Sequence, residues 1–301
     1  MSENLTTDPT LITGASGFLG WNLLQTAPKD INILAQYHHN QPNLLPNHNR
    51  LQLDLSKTNA IQTFKDFKFS AIIYAAAYSD IRTCQQDPKA SKIVNLDLPL
   101  HLSEISFQKN LPFIYYSTDL IFDGCEGNYL ETSSPNPLSL YGEQKAAAEQ
   151  AILKNNPNAL ILRCPLMYGE ANPNRPATLQ NSLSQLHTDE TQTLFTDEYR
   201  SAARALRIAQ FTWKSLGALN GLYNVGGQEA LSRYEMGMKL AKVYQIDKPA
   251  IKAIRQSDLP QLGPRPANCT LNSQKARSKG FLSLTYLEEL QHIKEISHDQ
   301  K

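Results

Sequence analysis

The chain is poor in the residues and patterns that would mark it for a special environment. Its four cysteines, Cys84, Cys125, Cys164 and Cys269, are scattered over 301 residues with no CxxC pair. That spacing suggests neither a zinc site nor a disulfide framework, and buried thiols are the expected reading. The seven histidines show no HxxxH spacing, so no protein-bound metal is expected. The longest apolar runs, such as 71–77, are far short of the ~20 residues that a membrane-spanning helix needs. The first nine residues are polar and lack the basic-then-apolar order of an export signal. An excess of one charge is missing too: 29 basic residues against 28 acidic ones leave a net charge of +1, with no basic stripe. Bulk electrostatics therefore favours neither nucleic acid nor any other polyanion as a partner. Together these absences lead us to expect a cytoplasmic protein that binds neither membrane nor nucleic acid. Internal repeats are absent, and low complexity is confined to the Asn/Pro/His-rich loop 38–49.

What is present is ordinary globular material, 41% hydrophobic and 19% charged, long enough for a nucleotide-binding domain with a companion. Short apolar runs at 10–13, 31–36, 51–53, 71–76, 113–117 and 159–164 alternate with helix-like segments at 18–26, 89–109 and 141–154, the middle one interrupted by Pro99. This order predicts an α/β fold with a doubly wound parallel Rossmann sheet over 10–168. Residues 170–200, rich in Asn, Pro, Thr and Gln, read as a loop-rich insertion, and 222–227 as a strand returning toward the sheet. We expect 205–227 to rejoin the first domain, 169–204 and 228–295 to form a smaller, discontinuous C-terminal substrate-binding domain, and 1–9 and 296–301 to be flexible ends.

Between the first strand and the first helix lies Gly14-Ala-Ser-Gly17-Phe-Leu-Gly20. A strand, glycine turn and helix let backbone amides approach a pyrophosphate at the positive end of the helix. Gly14, Ser16, Gly17, Phe18 and Leu19 are thus candidates for holding a dinucleotide, although the spacing is GxxGxxG rather than GxGxxG. An acid at the end of the second strand would bind the ribose of NAD, but this chain reads Gln36-Tyr-His-His39 there. That favours NADP, with NAD still allowed, and makes His38 the candidate near the 2′-phosphate; the histidines equally suit a polar loop.

Downstream, Tyr141-Gly-Glu-Gln-Lys145 follows the strand-like 113–119. Residues i and i+4 share a helix face, so the phenol and the ammonium can meet in one pocket. A nearby cation stabilises the phenolate and makes the tyrosine a usable acid. The same spacing often lies on a solvated helix face, and only its order after the glycine turn gives it meaning.

These residues resemble the extended short-chain dehydrogenase/reductase superfamily and, more narrowly, dTDP-4-dehydrorhamnose reductases. The resemblance runs over nearly the whole chain. It rests on the glycine motif, Ala75-Ala-Ala-Tyr78, Cys84-Gln-Gln-Asp-Pro88, Val94-Asn95, Ser117-Thr-Asp-Leu-Ile-Phe-Asp-Gly124, Tyr141 with Lys145, Leu162-Arg163 and Arg265-Pro-Ala-Asn268. It implies NADP-dependent reduction of the ketone of a nucleotide-linked sugar, in carbohydrate biosynthesis. Tyr141 would be the proton donor, Thr118 a hydrogen-bond donor to the carbonyl oxygen, and Lys145 the holder of the nicotinamide ribose. Asp54 and Leu55 would flank the adenine, Ala75, Ala76, Ala77 and Tyr78 would line the dinucleotide, and Asn95 would support the site. Asp119, Arg200 and Arg265 would face the substrate, the arginines at its diphosphate. A nucleotide sugar is the expected partner, and a homodimer is allowed for.

Plainer readings exist: the alanines suit close packing, Asp54 a helix cap, Thr118 a strand end, and the arginines surface ion pairs. Leu120 stands where nucleotide-sugar dehydratases carry a catalytic glutamate, which disfavours dehydration. A nucleotide-sugar epimerase and a non-catalytic dinucleotide-binding regulatory subunit stay open. The segments 197–203 and 164–167 depart from the reductase pattern where that family faces its substrate.

Overall fold

A computed structural model describes residues 8–42, 48–57, 59–65, 67–173, 175–188, 190–247 and 249–299. Residues 1–7 and 300–301 of the expected flexible ends, and 43–47 of the loop 38–49, lie outside the described residues. Residues 296–299, also expected to be flexible, complete the helix Tyr286–Asp299.

The chain divides into two units. The first comprises 1–117, 139–162 and 212–222, the second 118–138, 163–211 and 223–301. The segments 118–138, 163–168, 205–211 and 223–227, which the sequence suggested for the nucleotide domain, fall in the second.

The first unit is built on a seven-stranded sheet. Its strands are β1 (Thr10–Thr13), β2 (Ile33–Tyr37), β3 (Asn49–Gln52), β4 (Ala71–Tyr74), β5 (Phe113–Thr118), β6 (Leu160–Cys164) and β7 (Gly221–Asn224), in the spatial order β7-β6-β5-β4-β1-β2-β3. The pairs β3–β2, β2–β1, β1–β4 and β4–β5 are parallel. β1, β2, β4 and β5 are buried along their whole length, which is why they read as unbroken apolar runs, whereas the edge strand β3 alternates little and stays largely exposed. Strand order reverses between β1 and β4, so the crevice at their carboxyl ends is where such a sheet takes a ligand.

Three helices matter for the site: α1 (Phe18–Gln25), α2 (Leu98–Gln108) and α3 (Leu140–Asn155). The interruption expected at Pro99 takes the form of a π-helical stretch, Ile93–Asp97, between Pro88–Lys92 and α2. Pro99 has no N–H, so it cannot donate to Asn95 O in the α register or to Val94 O in the π register. Two buried phenols fill the gap: Tyr74 donates to Val94 O at 2.7 Å and Tyr115 to Asn95 O at 2.9 Å.

The second unit holds three two-stranded pairings, Met167–Tyr168 with Ala203–Arg204, Tyr199–Arg200 with Leu231–Ser232, and Gln192–Phe195 with Ile251–Ile254. The expected loop 170–200 therefore contains a helix, Thr178–Leu186, and two strands. A capping box starts Arg233–Val243: Glu235 N donates to Ser232 Oγ at 3.1 Å, and Ser232 N to Glu235 Oε2 at 2.7 Å. Its core gathers Tyr168, Leu179, Met236, Leu240, Tyr286 and Leu290.

Candidate active site

In the first unit the glycine turn is fixed by close backbone approach. Gly14 has φ +65°, and a Cβ there would lie 2.8 Å from Ala76 Cα; at Gly20 it would lie 2.2 Å from Gly14 O. Gly14 N donates to Gln36 Oε1 at 2.8 Å, and Gln36 Nε2 donates to Leu53 O at 2.7 Å. Gln36 is thus consumed in bracing the turn, leaving Tyr37 and His38 at the end of β2. Thr13 Oγ1 accepts from both Ala75 N and Ala76 N at 3.1 Å, tying the turn's strand to the end of β4. Gly17, the N-cap of α1, offers no side-chain cap, so the first-turn amides keep their affinity for an outside acceptor. Ser16, Gly17 and Phe18 are partly exposed there and Leu19 is buried. This cradle fits a dinucleotide's pyrophosphate.

His38 Nε2 lies 3.6 Å from Asp54 Oδ2, so an acid does approach the end of β2, supplied by the residues after β3. Burial works to raise the Asp54 pKa, but hydrogen bonds from Ser56, with His38 and Lys57 nearby, bring it below the ordinary carboxylate value. Leu55 is buried in the core, Ala75, Ala76 and Tyr78 are partly exposed, and Ala77 is exposed. Asn95 clamps the Tyr78 backbone, accepting from Tyr78 N at 3.0 Å and donating to Tyr78 O at 3.1 Å.

Helix α3 begins at Ser139, whose Oγ accepts from Gly142 N at 3.2 Å. Tyr141 and Lys145 are both buried, at 7% and 2% exposure. Gln144, between them, accepts from Asn95 Nδ2 and donates to Ser91 Oγ, each at 2.9 Å. The sequence reading missed Gln144. Lys145 Nζ stands 3.9 Å from the centroid of the Tyr115 ring.

In the second unit, Thr118 caps the 3₁₀ turn Asp119–Ile121: its Oγ1 accepts from Leu120 N and donates to Asp119 Oδ1, both at 3.2 Å. Asp119 is buried, and desolvation pushes its pKa up to about 6 despite the Arg200 guanidinium. Arg200 is 5% exposed, with Nε 3.5 Å from Asp119 Oδ2, Nη2 3.6 Å from Glu198 Oε1, and Nη1 donating to Tyr199 O at 2.8 Å. Arg265 pairs with the same glutamate, Nε to Glu198 Oε2 at 2.9 Å, but its side chain keeps 35% exposure. Of the two arginines, Arg265 is the more exposed. The divergent segment 197–203 is accordingly an ordered scaffold: Asp197 accepts from Gln256 N at 3.0 Å, and Glu198 is shared by two guanidinium groups.

Two features here carried no signal in the sequence. Glu198 gave no sign of being a shared counter-ion. Arg233 lines a small pocket, partly open to solvent, with Leu166, Tyr168, Leu194 and Tyr286. Burial pulls the Arg233 guanidinium below its usual pKa, with Glu198 opposing, and among the described residues it makes no hydrogen bond or ion pair.

Of the four cysteines, Cys84, Cys164 and Cys269 are buried as expected and Cys125 is exposed. Among the described residues no group of three His, Cys, Asp or Glu could hold a metal ion, and no helix is long and apolar enough to cross a membrane.

Comparison with known proteins agrees with this architecture. Residues 9–297 match the family described as RmlD substrate binding domain. The probable low-salt glycan biosynthesis reductase Agl14 of Haloferax volcanii is 30% identical over 92% of this chain and 94% of its own. Methionine adenosyltransferase 2 subunit beta of Pongo abelii is 29% identical over 76% of this chain and 71% of its own. A crystal structure of a hypothetical dTDP-4-dehydrorhamnose reductase from Sulfolobus tokodaii superposes with a TM-score of 0.79 at 25% identity, covering 92% of this chain and 98% of that one.

Proposed function

We propose that this chain, which belongs to the RmlD substrate binding domain family, is an NADP(H)-dependent reductase of a nucleotide-linked 4-ketosugar, with dTDP-4-dehydrorhamnose the first substrate to test. The observation that carries the reading is the burial of Tyr141 and Lys145 on one face of α3, braced through Gln144 to Asn95, in the same unit as the glycine cradle. Similarity in sequence to a probable glycan biosynthesis reductase and in fold to a hypothetical dTDP-4-dehydrorhamnose reductase supports it.

The reduced nicotinamide supplies the hydride when bound. Gly14, Ser16, Gly17, Phe18 and Leu19 would hold its pyrophosphate, His38 and Asp54 would stand near the adenosine end, and Ala75 to Tyr78 would line the dinucleotide. Tyr141 would give its proton to the developing alkoxide, and Lys145 would hold the nicotinamide ribose while favouring the tyrosinate left behind. Thr118 donates to the ketone oxygen by releasing its bond to Asp119. Arg265 would take the substrate diphosphate, with Arg200 holding Glu198 in place behind it. The Arg233 pocket, lined in part by Leu166 from the divergent segment 164–167, would serve the substrate side of the second unit. The central test is Tyr141→Phe, which should retain NADPH binding and lose most turnover; near-wild-type kcat would remove Tyr141 as the acid.

A second reading, a dinucleotide-binding subunit without turnover, draws on the similarity to the adenosyltransferase subunit and on the Thr118 hydroxyl being engaged locally. NADPH binding without oxidation by any 4-ketosugar would favour it. An epimerase is the weaker alternative, because the end of β2 offers Gln36 rather than an acid of its own.

A further inference from the structure

Lys145 is a buried cation, and what lies beneath it was not legible from the motif. The face of Tyr115, on the neighbouring strand β5, sits 3.9 Å from its ammonium. That ring is fully buried, and its hydroxyl donates to Asn95 O at 2.9 Å. Asn95 in turn holds Tyr78 and Gln144. One aromatic residue thus joins the π-helical stretch to the helix that bears Tyr141 and Lys145. Burial holds the Tyr115 phenol well above its ordinary pKa, with Tyr141, Tyr74 and Glu149 adding to the effect, so the ring stays neutral and keeps its electron-rich face.

We propose that Tyr115 is a positioning residue for Lys145: its ring, held in place by burial in the core, seats the ammonium. The proposal rests on the reading that Lys145 serves the cofactor and Tyr141. A cation over an aromatic face is stabilised by the ring quadrupole, and phenylalanine offers a comparable face whereas leucine offers none.

The test uses the full chain with Tyr115→Phe, Tyr115→Leu and Lys145→Met, and both double variants that include Lys145→Met. In the first arm, NADPH affinity is measured by calorimetry. Tyr115→Leu should weaken it about three- to tenfold, Tyr115→Phe by less than about twofold, and Tyr115→Leu should add little once Lys145 is methionine. In the second, the alkaline limb of the pH–rate profile should move upward in Tyr115→Leu, because a poorly seated ammonium stabilises the Tyr141 phenolate less; Tyr115→Phe should hold the wild-type limb. The groups that bear on that limb are Tyr141, Lys145 and Glu149 on α3, Tyr115 on β5 and Tyr74 on β4. A third arm needs no ligand: unfolding midpoints should show the leucine and methionine substitutions to be non-additive. If leucine does not fold, Tyr115→Met, whose flexible side chain adapts to an irregular gap, takes its place. Additive effects in unfolding, or equal NADPH affinities for the phenylalanine and leucine variants, overturn the proposal. Absence of ketosugar reduction alone would instead count against the proposed function, since the binding and unfolding arms do not depend on it.

Discussion

Asp119→Asn should change the pH dependence of stability in a direction that can be worked out beforehand. Asp119 is buried, and its carboxyl titrates near 6 in the folded chain against an ordinary value of 3.8. Desolvation is the largest cause; Arg200 at 3.5 Å opposes it only in part, because that guanidinium also answers to Glu198. A folded pKa raised above the unfolded one gives a contribution fully present below pH 3.8 and lost as pH rises through 6. A displacement of about two units corresponds to about 3 kcal/mol. Asparagine keeps an acceptor for Thr118 but cannot ionise, so the variant lacks this slope. Urea unfolding of both proteins from pH 4 to pH 8 should show the wild type losing up to about 3 kcal/mol relative to the variant between pH 4 and pH 7, then running parallel to it. A constant offset contains only the pH-independent cost of the substitution, such as altered packing; the slope carries the balance between desolvation and Arg200. Parallel profiles, or a wild type that gains on the variant as pH rises, would show that the ion pair outweighs desolvation and refute the reasoning.

Other substitutions follow from contacts of the same kind. Gly14→Ala places a Cβ 2.8 Å from Ala76 Cα at φ +65°, and should cost about 2–4 kcal/mol in unfolding experiments while weakening NADPH binding. Gln144→Leu strips Asn95 Nδ2 and Ser91 Oγ of one partner each, and should destabilise by about 1–3 kcal/mol with a fall in kcat larger than any change in NADPH affinity. Arg265→Ala should raise KM for the nucleotide sugar about tenfold and leave cofactor affinity nearly unchanged; an unaltered KM would take Arg265 out of the site. Calorimetry should show NADPH binding more tightly than NADH, by a small margin because Asp54 approaches His38, and tighter NADH binding would reverse the cofactor assignment.

The doubly wound sheet was readable because fully buried parallel strands leave unbroken apolar runs and because a glycine turn has a fixed place after the first of them. That Tyr141 and Lys145 lie together on one helix was readable for a similar reason: a helix repeats its face about every four residues. What escaped depends on contacts distant in the chain. Gln36 looked like a vacancy left by a missing acid, yet it braces Gly14 and Leu53, while the acid near His38 comes from beyond the next strand. Pro99 was legible as an interruption, but not the two tyrosines that repair it. Residues 170–200 looked like loop because their polar composition hides a helix and two strands whose partners lie as far away as Ile251–Ile254. Glu198 and Arg233 have no local pattern at all; their meaning comes from burial beside other charges.

The central claim is that this chain reduces a nucleotide-linked 4-ketosugar at the expense of NADPH through Tyr141 and Lys145. The most direct measurement is NADPH oxidation by the purified full chain on addition of dTDP-4-dehydrorhamnose, with UDP- and GDP-linked 4-ketosugars alongside and the Tyr141→Phe variant in parallel. The account predicts oxidation with at least one of these sugars, matched by formation of the alcohol and largely abolished in the variant. NADPH bound without oxidation by any of them, or oxidation equal in the variant, would contradict it.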